Sequence, residues 1–89
     1  MSKIKKILIT GTAGFIGFHC ALKFLNLLPE YEIHGVDNFN KNYELKIKKI
    51  RNNILNKYKK FKFFNNNLKN DKLIKKLSKQ NYEIIIHLA

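Results

Sequence analysis

Four apolar runs of strand length, three intervening stretches of helix length, and the absence of any Gly/Ser-rich linker predict an α/β fold of order β-α-β-α-β-α-β. Crossovers as long as helices join strands that run parallel, so the expected architecture is the N-terminal half of a doubly wound parallel sheet. Residues 1–89 are then one incomplete unit and not two domains.

The first run, Ile4 to Thr10, is isoleucine-rich and ends at Gly11, as a strand buried on both faces would. From Ala13 to Leu28 the polar residues His19, Lys23 and Asn26 fall four and three apart, on one stripe of a helix that Pro29 ends. "YEIHGVD", Tyr31 to Asp37, reads as a second strand that stops at the turn-forming "DNFNKN". Ile47, Ile50, Ile54 and Tyr58 recur at helical spacing along a lysine-faced segment, and "FKFFNNN" supplies a third strand with its exit turn. Asp71 stands where an N-cap would, before Leu73, Ile74 and Leu77, and "YEIIIHLA" closes the chain as a fourth buried strand.

Eighteen basic residues against six acidic ones give a net charge of +12, which raises nucleic acid or an anionic membrane as a partner. The make-up of that charge argues otherwise. Seventeen of the eighteen are lysine, and base readout and bidentate phosphate contacts favour the planar fork of arginine, present once at Arg51. The lysines spread from Lys3 to Lys79 among twelve asparagines without a dense block, so solvated faces are expected, with no nucleic acid and no membrane as partner. Cys20 is the only cysteine and forms no internal disulfide; it is expected to pack as a small apolar residue in a reducing, cytoplasmic setting. The apolar stretch after Lys3, Lys5 and Lys6 is broken by Thr10-Gly11-Thr12 and Gly14 and lacks a small-residue cleavage site, unlike a signal peptide.

The chemistry concentrates in "TGTAGFIG". A tight strand-to-helix turn of glycines lets a diphosphate reach backbone amides and the positive end of a helix dipole. Gly11 permits the turn, Gly14 the approach, and Gly17 the close packing of the helix on the sheet. The triplet alone also fits a turn without a ligand. Asp37, twenty residues after Gly17 at the end of the second strand, sharpens the reading, because a carboxylate there reaches an adenosine ribose. It accepts hydrogen bonds from both ribose hydroxyls of NAD and repels the extra phosphate of NADP, and no arginine stands beside it in the sequence. His19 and His34 are expected at the surface, and His87 as a strand-end residue satisfied by backbone.

These motifs resemble the extended short-chain dehydrogenase/reductase family of NAD-dependent sugar-nucleotide epimerases and dehydratases, over the whole chain. "GFIGFH" with "DNFNKNYELKIKK" most resembles the UDP-glucuronate 4-epimerases among them. The resemblance implies a Rossmann-type sheet and NAD as cofactor. Phe15 and Ile16 would offer amides to the pyrophosphate, and Asp37 and Asn38 would face the adenosine ribose beside a loop of Phe39, Asn40, Lys41 and Asn42. Asn67 and Leu68 would flank the adenine, and Leu88 and Ala89 would line the approach to the nicotinamide half. Asn67 departs from the family's aspartate; its amide oxygen still accepts from the adenine amino group, without the charge.

The family's Tyr-x-x-x-Lys pair is matched only by Tyr58 and Lys62, at a helix-to-strand junction where chance in a lysine-rich chain explains it. No catalytic or metal-ligating residue is therefore assigned, and the chain is read as an N-terminal fragment, inactive alone. A complete protein would oxidise and re-reduce a nucleotide sugar at C4, as in the interconversion of UDP-glucuronate and UDP-galacturonate, with room for a homodimer. Alternatives are a 4,6-dehydratase or reductase of the same fold, a non-catalytic NAD-binding module, or a basic nucleic-acid-binding fragment.

Overall fold

A computed structural model describes residues 4–37, 45–65 and 71–88. Its elements are β1 (Lys5–Thr10), α1 (Phe15–Leu27), β2 (Tyr31–Asp37), α2 (Leu45–Leu55), β3 (Phe61–Asn65), α3 (Asp71–Ser78) and β4 (Tyr82–His87). The four strands form one sheet of order β3-β2-β1-β4, every neighbouring pair parallel. The chain thus steps outward from β1 through β2 to β3, then crosses back to the other side of β1. That reversal is the topological switch of the α/β class the sequence predicts, and it opens a crevice at the carboxyl ends of β1 and β4.

Alternation along each strand divides the core between the faces. Ile7 and Ile9 of β1, Ile33 of β2 and Phe61 of β3 pack with Phe18, Ala21 and Leu25 of α1 and Leu55 of α2. Leu8 and Val36, one residue out of phase, pack with Leu73 and Leu77 of α3 on the opposite face. Ile7, Ile9 and Ile33 are fully buried, and trimming any of them to alanine would cost ~2–5 kcal/mol. Leu28 closes α1 by donating its backbone N–H to the Phe24 carbonyl at 2.8 Å, one residue before Pro29. Cys20 is half-buried against the first cluster, and burial pushes its thiol pKa up. Among the described residues no helix is long and apolar enough to cross a membrane.

Two expectations about burial fail. His34 is not a surface residue: it is 3% exposed, because β2 is an inner strand and position 34 points under α3 with Leu8 and Val36. Its Nδ1 lies 2.7 Å from the Tyr82 hydroxyl and its Nε2 2.9 Å from Glu32 Oε1. The Tyr82 pKa is pushed up to about 12 by burial and by the Glu32 charge, so the phenol donates to Nδ1 and the Nε2–H donates to Glu32. Tyr82 reaches His34 across β1 because the β1–β4 register shifts between Lys6 and Ile7, pairing Lys6 with Tyr82 and Ile7 with Ile84. That bulge sets Tyr82 on the same face as Ile85. Nor is β4 buried throughout: Ile84 and Ile85 are 43% and 63% exposed, because no described strand lies on its outer side.

Burial depresses the His34 pKa against the opposing pull of Glu32, while the His34 hydrogen bond and the Lys62 and Lys6 charges overcome burial to hold Glu32 low. The unfolded chain therefore binds protons at a higher pH than the folded one, and stability falls as pH drops through 6.5 and again below 4.5. The thermal midpoint should decline between pH 8 and 5, and His34→Leu should flatten that decline while costing ~1 kcal/mol at the plateau through the lost Tyr82 partner. A second expectation concerns the β4 edge. The 89-residue chain should sediment as oligomers, and Ile85→Lys should restore monomer; a sharp monomer boundary for the unaltered chain would refute this.

Candidate dinucleotide site

At the carboxyl end of β1 the backbone turns on Gly11, whose φ of 82° lies in the left-handed region that a side chain disfavours. Its N–H donates to the Val36 carbonyl at 2.7 Å, so the turn begins as a continuation of the β1–β2 ladder. Gly14 donates back to the Gly11 carbonyl at 3.1 Å, and α1 starts at Phe15 with Gly14 as its N-cap. A Cβ on Gly17 would stand 2.0 Å from the Gly11 oxygen, so the first turn of α1 lies on the glycine turn with no space between. Thr12, wholly buried, packs against Gly35 of β2, where a Cβ would stand 2.6 Å from the Thr12 hydroxyl oxygen.

The N-terminus of α1 receives no side-chain cap and carries no acidic residue in its first turn. That positive dipole end is not answered from within α1, an arrangement suited to an anion. Asp37, at the tip of β2 and 8% exposed, accepts a hydrogen bond from the Ala13 N–H at 3.0 Å. The carboxylate and the glycine turn, far apart in sequence, therefore face each other across the β1–β2 tips. This set fits a dinucleotide on structural grounds: an uncapped helix end, a turn too tight for side chains, and an acid beside it.

Of the residues singled out from the sequence, Gly11, Gly14, Phe15, Ile16, Gly17 and Asp37 meet here. Phe15 and Ile16 expose their side chains, 65% and 67%, and stand at the helix start, where backbone N–H groups have no partner within the helix. Leu88 lies across the crevice, its N–H donating to the Thr10 hydroxyl at 3.0 Å and to the Thr10 carbonyl at 3.2 Å. Asn38, Phe39, Asn40, Lys41, Asn42, Asn67, Leu68 and Ala89 lie outside the described residues. Tyr58 follows α2 at the amino end of β3, its hydroxyl 3.5 Å from Asn26 Oδ1, at the opposite end of the strands from the turn.

Sequence reasoning missed three side chains. His87 is satisfied not by backbone but by the Thr10 hydroxyl, 2.7 Å from its Nδ1, because parallel pairing sets Thr10 beside His87. Thr10 therefore ties the tips of β1 and β4. The chain's one arginine, absent from the sequence neighbourhood of Asp37, is brought to the turn by α2: Arg51 Nη1 donates to the Ala13 carbonyl at 3.1 Å, and its guanidinium lies 5.7 Å from the Phe15 ring centroid. The signal that could have found it was its singularity among seventeen lysines.

The geometry agrees with what this chain is similar to. An uncharacterised protein of Methanocaldococcus jannaschii is 36% identical over 88 residues, covering 98% of this chain and 27% of that protein. A UDP-glucuronate 4-epimerase of Thermodesulfobacterium geofontis is 39% identical over 84 residues, covering 92% of this chain and 25% of its own length. The chain spans about a quarter of the length of these relatives. Among solved structures, the Bacillus cereus UDP-glucuronic acid 4-epimerase in complex with UDP-glucuronic acid and NAD superposes with a TM-score of 0.82 at 32% identity, over 94% of this chain and 26% of that one. The GDP-mannose 4,6 dehydratase family model matches residues 8–89, which takes in the glycine turn, Asp37 and the crevice strand β4, and the chain accordingly belongs to that family of extended short-chain dehydrogenase/reductases.

Proposed function

We propose that this chain supplies the adenosine and diphosphate half of an NAD site, within a protein that epimerises a nucleotide sugar, UDP-glucuronate at C4 being the substrate favoured. The observation that carries the reading is the Ala13 N–H to Asp37 hydrogen bond, which turns the ribose-binding carboxylate toward the diphosphate-binding turn. Support for the sugar comes from the relatives, two of which are UDP-glucuronate 4-epimerases. A dehydratase acting on a nucleotide sugar in the same fold is the second reading, favoured by the description of the matching family.

In this arrangement the protein's work is to bind, orient and exclude. The backbone amides at Phe15 and Ile16 and the α1 dipole would hold the diphosphate, with Gly11, Gly14 and Gly17 keeping side chains out of its way. Asp37 would accept from the ribose hydroxyls, with Asn38 and the loop of Phe39 to Asn42 beside it, while Asn67 and Leu68 would flank the adenine. Leu88 and Ala89 would line the path to the nicotinamide, the Leu88 N–H being held by the Thr10 hydroxyl. Bound NAD supplies a hydride acceptor and donor for the sugar carbon.

Calorimetric titration with NAD tests this. Gly17→Ala should weaken NAD binding at least about tenfold, since its methyl group displaces the Gly11 carbonyl. Asp37→Asn keeps an acceptor for the Ala13 N–H but lacks the charge, so it should lose discrimination against NADP by about tenfold while the fold stays intact. Unchanged NAD affinity in Gly17→Ala together with unchanged discrimination against NADP in Asp37→Asn would refute the assignment, and binding to nucleic acid that falls steeply with salt would favour a basic nucleic-acid module instead.

A further inference from the structure

We propose that Arg51 is a positioning residue for the diphosphate, a role resting on the NAD reading above. The Ala13–Gly14 peptide unit sits at the centre of the turn, and both its ends are held: Gly14 N–H by the Gly11 carbonyl, and the Ala13 carbonyl by Arg51 Nη1. The preceding peptide is held in turn, its Ala13 N–H by Asp37. A cation on α2 and an anion on β2 therefore grip one residue from opposite sides.

The consequence is electrostatic. A diphosphate approaching the α1 N-terminus is drawn by N–H groups and repelled by any carbonyl turned toward it. A flip of the Ala13–Gly14 peptide would present such a carbonyl. Arg51 opposes the flip by holding that oxygen toward α2, and brings a positive charge to the rim of the turn.

Arginine is needed because one group performs two tasks. Its planar guanidinium lies against the Phe15 ring while an edge N–H reaches the Ala13 oxygen. A lysine ammonium is a single strongly hydrated point without that fork. Seventeen other basic positions of this chain are lysine, so the one arginine stands where lysine would do the job least well.

The test compares NAD with adenosine, which carries no phosphate, on the protein as its gene encodes it, by calorimetry and ligand-observed NMR. Arg51→Met should weaken NAD about tenfold and leave adenosine within about twofold; Arg51→Lys, which keeps charge and helix, should weaken NAD about threefold and adenosine not at all. A parallel loss of both ligands would mark Arg51 as merely structural and overturn the proposal, as would NAD affinity in Arg51→Lys equal to that of the unaltered protein. If Arg51→Met does not fold, Arg51→Lys decides alone. Failure of the unaltered protein to bind NAD would instead overturn the parent reading, and this inference with it.

Discussion

Helix α1 can start where it does only because Gly17 has no side chain. A methyl group there would overlap the Gly11 carbonyl, so the helix would have to lift away from the turn or the turn from the strand. Either movement would break the run of contacts that follows: the Gly11 bond to Val36, the Ala13 bond to Asp37, and the seating of Phe18, Ala21 and Leu25 on Ile7 and Ile33. Core packing and site geometry thus share one steric condition.

Much of this was legible in the sequence. The boundaries of β2 were read to the residue, since "YEIHGVD" is flanked by proline on one side and a polar turn on the other. The glycine spacing and Asp37 were legible because each answers a backbone or charge requirement that few residue types meet. The α2 helix ends at Leu55, three residues before Tyr58, whose N–H bonds the Leu55 carbonyl in a turn the periodicity of apolar residues does not reveal.

What escaped depended on the third dimension. His34 looked polar and therefore external, yet an inner strand has no external face, and two partners make its burial tolerable. Tyr82 finds it through a bulge that no alternation pattern announces. Arg51 is fourteen positions past Asp37 along the chain, but α2 folds back over the turn and returns it to the same neighbourhood. In each case the residue type was visible and its neighbour was not.

Strand β4 is fastened near both of its ends by side chains, Tyr82 to His34 at the start and His87 to Thr10 at the finish, while its middle isoleucines stand open. A polypeptide segment that joins the outer side of β4 therefore meets a rail already straight and already clamped. It forfeits only its own freedom on pairing, since the host strand's disorder has been removed beforehand. Extension of the sheet from that side is a templated step, on a strand held near both ends.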